Sequence, residues 1–157
     1  MKFGFVGLGQ MGAPMAINLA KQYSVIVYDT NRDAIKRVIE KGAQPADNPE
    51  QFSKVDVLIT CLPNALALNK ALFDKETGIS QYLKPGALVV DTSTIEHDKT
   101  LNIAACLKKA GFRFLDAPVS GMQMRAEDGT LTIMVGGDAH DLTEVNAGLL
   151  SMASKVI

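Results

Sequence analysis

The stretch "FVGLGQMGAPMAINLA" (Phe5–Ala20) governs how the rest of the chain is read. Three glycines, Gly7, Gly9 and Gly12, interrupt an otherwise apolar run. Before them, Lys2–Leu8 has the continuous apolar character of a buried strand. After them, Met11–Lys21 repeats apolar residues at helical spacing, at Met11, Met15 and Leu19 and at Ile17 and Ala20. The glycines therefore occupy a strand-to-helix turn. In the pattern Gly-x-Gly-x-x-Gly the first permits a tight turn. The second lets a pyrophosphate approach the backbone, and the third lets the helix pack closely on the strand. The helix start adds unpaired N–H groups and a partial positive charge. Taken alone, the motif also suits a tight turn that binds nothing.

Outward from this turn the chain alternates. Ser24–Asp29 is a β-branched strand ending on an acid, and Asp33–Lys41 is a helix with Gly42 as its C-cap. Val55–Pro63 is a third strand, apolar on both faces as in a parallel sheet. Ala65–Phe73 reads as a helix and Lys84-Pro85-Gly86 as a turn. Ala87–Thr94 is a fourth strand, followed by a helix over Asp98–Lys109 that ends at Gly111. Arg113–Gly121 is a fifth strand stopped by Pro118, and Leu131–Gly137 a sixth. Asp138–Met152 is a last helix, and Lys155–Ile157 begin another strand. Crossovers of this length force parallel strands with helices on both faces. The expected fold is α/β, a Rossmann-type doubly wound, mainly parallel sheet, forming one dinucleotide-binding domain over residues 1–157.

The bulk properties narrow the function. The chain has 157 residues, 47% of them hydrophobic and 21% charged, enough for a buried core. A net charge of −1 without a basic block leaves no electrostatic footprint for nucleic acid. The opening apolar run is broken by Gly4, Gly7, Gly9, Gln10, Gly12, Pro14 and Asn18, so neither a signal peptide nor a membrane span is expected. Cys61 and Cys106 each lie in an apolar stretch and read as buried free thiols, which fits a cytoplasmic protein.

Asp29 turns the glycine motif into a more specific signal. An acid at the end of the second strand can accept hydrogen bonds from the ribose hydroxyls of a dinucleotide. Its plainer role is capping the next helix or solvation at a strand end. Beside a carboxylate a 2′-phosphate is repelled, so NAD is favoured over NADP. Arg32, close by, is a possible partner for that phosphate and keeps NADP open.

Four motifs then occur in order: Gly4–Lys21, "CLP" (Cys61–Pro63), "DTSTI" (Asp91–Ile95) and "DAPVSG…GTLTIMVGG" (Asp116–Gly137). Over nearly the whole chain they resemble the cofactor domain of the β-hydroxyacid dehydrogenases. That group includes 3-hydroxyisobutyrate dehydrogenase and tartronate semialdehyde reductase, with 6-phosphogluconate dehydrogenase more distant. The resemblance implies that Gly7, Gly9, Gln10, Met11 and Gly12 hold the pyrophosphate and Asp29 the adenosine ribose. It also implies that Leu62 and Pro63 line the cofactor path and that Thr94 lies near the nicotinamide ribose. Ser120, Gly121 and Met122 would meet the carboxylate of a small substrate. All of these sit at the carboxyl ends of expected strands, where open α/β sheets bind ligands. Read without the family, Thr94 suits a helix cap and Ser120-Gly121 a simple turn.

Two departures bear on the substrate. The family usually carries a second glycine after Ser-Gly, where this chain has Met122, whose side chain would narrow the acid pocket or cover an apolar substrate. The "MQMRAEDG" stretch also holds Arg125, either a partner for an anionic substrate or, more commonly for such a residue, an exposed arginine in a loop. In the family a lysine on a following all-helical domain moves the hydroxyl proton, and that domain also carries oligomerisation; no lysine here matches its motif. His97 and His140 fall at helix starts outside any triad or zinc spacing and read as surface residues. An apolar patch at Leu149, Leu150, Met152, Val156 and Ile157 is expected where such a domain would pack. The implied activity is hydride transfer between NAD and a small β-hydroxyacid. The alternatives are a non-catalytic dinucleotide-binding homologue and a 6-phosphogluconate-type, NADP-dependent dehydrogenase.

Overall fold

The computed structural model describes all 157 residues, Met1–Ile157. Along the chain run β1 (Lys2–Val6), α1 (Gly12–Ala20), β2 (Ser24–Tyr28), α2 (Arg32–Ile39), β3 (Gln44–Pro45) and β4 (Val57–Thr60). Then come α3 (Ala65–Phe73), β5 (Leu88–Asp91), α4 (His97–Lys109), β6 (Arg113–Asp116), β7 (Val119–Ser120) and α5 (Met122–Asp128). The last elements are β8 (Leu131–Ile133), β9 (Gly136–Gly137), α6 (Ala139–Leu150) and β10 (Ala153–Val156). Short 3₁₀ turns at Pro49–Lys54 and Ile79–Gln81 complete the crossovers.

The main sheet has the order β3-β2-β1-β4-β5-β6-β9. All its pairings are parallel except β6 with β9. The chain winds outward from β1 to β3, then crosses to the other side of β1 to lay down β4. That reversal leaves a crevice at the carboxyl ends of β1 and β4, where neighbouring crossovers depart to opposite faces.

Strand alternation explains why both faces are covered. Phe3 and Phe5 point to one side, where they pack with Met15, Ala16 and Leu19 of α1, Val38 of α2 and Val145 and Leu149 of α6. Val6, Leu58 and Val89 point to the other side, against Leu68 and Leu72 of α3 and Ile103 and Leu107 of α4. Three of the six helices begin where a side chain accepts from the first free amides: Asn31 accepts from Asp33 and Ala34 for α2, Asn64 from Ala67 for α3, and Asp138 from His140 and Asp141 for α6. No helix is long and apolar enough to cross a membrane.

The last third of the chain departs from the sequence reading. The fifth and sixth strands are each split. β6 and β9 stay in the main sheet, whereas β7 and β8 join β10 in a second, three-stranded sheet ordered β10-β8-β7. Pro118 is the break in the first case, since it has no N–H to continue the ladder. In the second, the Met134 amide turns to the Pro118 carbonyl and the Val135 amide to that of Ile157. The "MQMRAEDG" stretch is not a loop but α5, and Arg125 sits on that helix.

The expected apolar patch is present only in part. Leu149 and Met152 are fully buried in the main core, leaving Leu150 and Ile157 exposed and Val156 half-buried. Of the two thiols, both free, Cys61 is half-buried as part of a packed wall, but Cys106 is exposed on α4. His97 and His140 are exposed at the starts of α4 and α6.

Candidate functional site

At the switch point lies a cleft of about 870 Å³. The glycine turn forms its floor, Tyr28, Asp29 and Thr30 its β2 side, and Cys61, Leu62 and Pro63 its β4 side. Residues of α3, including Ala67, Lys70 and Ala71, close it over.

Each glycine of the turn has a different reason to be there. Gly7 has φ +99°, and a Cβ on it would run into the Cys61 carbonyl. A Cβ on Gly12 would run into the Gly7 carbonyl, so the third glycine is what lets α1 start close to β1. Gly9 is unlike both. It does not have a positive φ, and a Cβ there would meet no protein atom within 4 Å. Nothing inside the fold requires glycine at this position, and the space in front of it is open. The amides of Gly9, Gln10, Met11 and Gly12 donate no hydrogen bond within the protein. Four unpaired donors at the start of a helix, facing a cradle that a methyl group would fill, suit an anionic bridge such as a pyrophosphate.

Asp29 is tied into the same loop. Its Oδ2 accepts from the Leu8 amide at 2.6 Å and its Oδ1 from the Asn31 amide at 2.8 Å. The carboxylate thus staples the glycine turn to the end of β2. Each oxygen keeps a further lone pair for a ligand hydroxyl. The stapling role was invisible in the sequence, since it joins the loops that follow two different strands, 21 positions apart. Arg32, the first residue of α2, is exposed and does not line the cleft. Lys70, a cation on the cleft wall with no ion-pair partner, escaped the sequence reading because nothing in its spacing marks it.

The ends of β4 and β5 are polar and buried. Thr60 and Asp91 are fully buried and Thr92 and Ser93 nearly so. Burial pushes the Asp91 carboxyl above the usual carboxylate range, helped by the neighbouring Asp116 and opposed by hydrogen bonds from Ser93 and Thr60. Asp116, its register neighbour on β6, is also raised by burial, with His97 pulling the other way. Burial raises the Cys61 thiol too, which favours its protonated form.

Of the residues expected at the site, Gly7, Gly9, Gln10, Met11, Gly12, Asp29, Leu62 and Pro63 come together around the cleft. Thr94 is exposed just beyond β5 and does not line it. Ser120, Gly121 and Met122 lie further along the same edge, outside the cleft, in the second sheet and the start of α5. Here the backbone is unusual. Gly121 has φ +139°, and a Cβ on it would press on Arg125 Cδ at 2.7 Å. Met122 comes next with φ +62°, the one non-glycine residue of the chain with positive φ, and its side chain is 81% exposed. The rest of α5 anchors this strained corner. The Asn18 side-chain amide of α1 donates to the carbonyls of Ala126 and Glu127 at 2.8 and 3.3 Å, docking α5 onto the helix that starts at the glycine turn.

Comparison with known proteins agrees with this geometry. The family described as the NAD binding domain of 6-phosphogluconate dehydrogenase matches residues 2–157. This chain belongs to that family. Its membership accounts for the strand order, the glycine turn and the acid at the end of β2 as parts of an NAD binding domain. A probable mitochondrial 3-hydroxyisobutyrate dehydrogenase of Dictyostelium discoideum is 42% identical over 156 residues, 98% of this chain and 48% of the relative. The 3-sulfolactaldehyde reductase of Escherichia coli (strain K12) is 39% identical over 155 residues, 98% of this chain and 52% of the relative. Among solved structures, Mycobacterium tuberculosis 3-hydroxyisobutyrate dehydrogenase with L-serine superposes with a TM-score of 0.93 at 34% identity, covering 99% of this chain and 53% of that one. The chain therefore spans about half the length of the relatives it matches.

Proposed function

We propose that this domain binds a nicotinamide dinucleotide, NAD in preference to NADP, as the cofactor half of an oxidoreductase acting on a small β-hydroxyacid. The observation that carries the reading is the row of free amides from Gly9 to Gly12, beside a glycine that the fold itself does not require. Those amides hold the pyrophosphate. Asp29 accepts from the adenosine ribose hydroxyls, and its charge disfavours a 2′-phosphate. Leu62 and Pro63 form the wall along which the dinucleotide lies. When bound, the cofactor supplies the hydride chemistry; the protein orients it and excludes competing reactions.

The substrate class follows the relatives' names, 3-hydroxyisobutyrate or a sulfonated analogue such as 3-sulfolactaldehyde, and the motif resemblance adds tartronate semialdehyde; each is a small anion. Ser120 supplies a hydroxyl and Gly121 and Met122 supply backbone amides toward that anion, with Thr94 toward the nicotinamide side. The proton acceptor is a lysine on a following helical domain, which also carries self-association. On this reading the 157-residue chain binds cofactor and turns over little. A cytoplasmic site of action rests on the unpaired cysteines, and imaging of the tagged full-length protein tests it.

The test is a paired titration with NADH and NADPH, read by nicotinamide fluorescence in a chain that has no tryptophan. NADH is expected to bind at least tenfold more tightly. Failure of both to bind at millimolar concentration overturns the reading, and tighter NADPH binding favours the 6-phosphogluconate-type alternative. Rapid turnover of a hydroxyacid by this chain would show that the proton acceptor lies within it.

A further inference from the structure

A central parallel strand normally stays apolar to its end, because both of its faces are covered. β5 does not. It finishes at Asp91, fully buried, and Thr92 and Ser93 come after it with almost no exposure. Burying this many polar side chains costs stability unless every one is hydrogen-bonded.

The bonds they make form a chain that leads to the cleft. Asp91 Oδ1 accepts from Thr60 Oγ1 at 2.8 Å, from the Ser93 amide at 3.1 Å and from Ser93 Oγ at 2.6 Å. Ser93 Oγ in turn accepts from the Leu62 amide at 2.8 Å. Alongside, Thr92 donates twice to the Thr60 carbonyl, from its hydroxyl at 2.7 Å and its amide at 2.8 Å.

Leu62 is where this matters. β4 has ended at Thr60, and Pro63 has no N–H. The Leu62 amide is the last backbone donor of that wall before the chain turns toward α3. Ser93 Oγ is its partner, and Asp91 fixes Ser93 Oγ by accepting its hydroxyl proton in a hydrogen bond. The second oxygen of Asp91 has no partner in the protein, so a single oxygen carries all three bonds.

We propose that Ser93 and Asp91 are positioning residues for the dinucleotide. Buried out of its reach, they hold through the Leu62 amide the wall that Leu62 and Pro63 present to it. The inference rests on the cofactor reading above. It adds that the acceptor oxygen of Asp91, and not its charge, is what the site needs.

The test compares Ser93→Ala and Asp91→Asn with the unaltered chain by NADH titration and by amide hydrogen exchange at Leu62. Losing one hydrogen bond, worth about 1 kcal/mol, weakens NADH binding roughly fivefold. Ser93→Ala is therefore expected to raise the NADH Kd about fivefold and to speed exchange at Leu62 at least tenfold. Exchange across Val57–Thr60 stays slow, which separates this effect from loosening of the sheet. Asp91→Asn keeps the acceptor oxygen and is expected to hold Kd within twofold and to leave Leu62 protected.

Unchanged exchange at Leu62 in Ser93→Ala overturns the proposal, and so does an unchanged Kd when exchange is fast. An Asp91→Asn variant that loses affinity as Ser93→Ala does would assign the role to charge and overturn it as stated. If the unaltered chain binds no NADH, the cofactor reading itself fails. Leu62 exchange then still reports whether the relay exists, but its proposed purpose falls.

Discussion

Replacing Gly9 with alanine separates a ligand site from a mere turn. In the fold the added methyl meets no atom within 4 Å, and the backbone there is not in the left-handed region. Removing glycine's freedom from the unfolded chain at such a position stabilises by about 0.4–1 kcal/mol. At about 2–4 °C per kcal/mol for a domain of this size, the melting temperature should rise by roughly 1–4 °C or stay level. The methyl instead occupies the cradle in front of the free amides of Gly9 to Gly12. A pyrophosphate pushed away from even one of them forfeits a hydrogen bond to a charged group, about 1.5–3 kcal/mol, or roughly 10- to 150-fold in NADH affinity. Gly12→Ala is the contrasting variant. Its Cβ runs into the Gly7 carbonyl, and overpacking of this kind costs about 1–3 kcal/mol, or roughly 2–12 °C. Circular dichroism melts and NADH titrations on the two variants give the comparison. Gly9→Ala binding NADH as well as the unaltered chain, or melting several degrees lower, would refute the reasoning, because Gly9 would then serve the fold and not a ligand.

Asp29→Asn keeps an acceptor for the Leu8 amide but removes the charge, so the preference for NADH over NADPH should shrink at least tenfold in paired titrations; an unchanged ratio would remove Asp29 as its source. Met122→Gly relieves a non-glycine residue at φ +62° and should raise stability by about 1 kcal/mol in denaturant melts, whereas a loss would mean that the exposed side chain packs against something. The buried acids set a pH dependence. Asp91 and Asp116 are both raised in the fold, chiefly by burial, so the stability they contribute is full below the ordinary aspartate value of about 3.9 and is lost as pH rises through their folded values. Asp91→Asn should flatten the decline above pH 4 and melt higher than the unaltered chain at pH 7–8; a steeper decline would contradict the assignment. At the acid end, the Arg113 guanidinium holds Glu144 below its ordinary value through bonds at 2.7 and 3.3 Å. That contribution is lost as pH falls through the depressed value, and Glu144→Gln should remove it from acid titration curves.

Local pattern was enough to read the order of strands and helices through Lys109, apart from the two-residue edge strand β3, together with the parallel sheet and the place of the crevice. The reason is that periodicity of two or 3.6 records which face each segment buries, and a glycine turn records where a backbone must bend or stay bare. Asp29 was legible for a similar reason, as an acid at a strand end following that turn. The chain beyond Asp116 was not legible in this way. Pro118 marks the end of a strand but says nothing of which sheet Val119 and Ser120 pair with next. α5 has seven residues, too few to show a period, and it is docked by the Asn18 side chain from 108 positions earlier in the chain. Leu149 and Met152 looked like interface residues by composition, and only the packing of α6 against Phe3 and Phe5 made them core. The polar weld from Asp91 through Ser93 to Leu62 joins residues about 30 positions apart, so it exists only once β4 and β5 lie side by side. Sequence encodes what a residue prefers to bury, and tertiary structure alone decides which distant partner satisfies it.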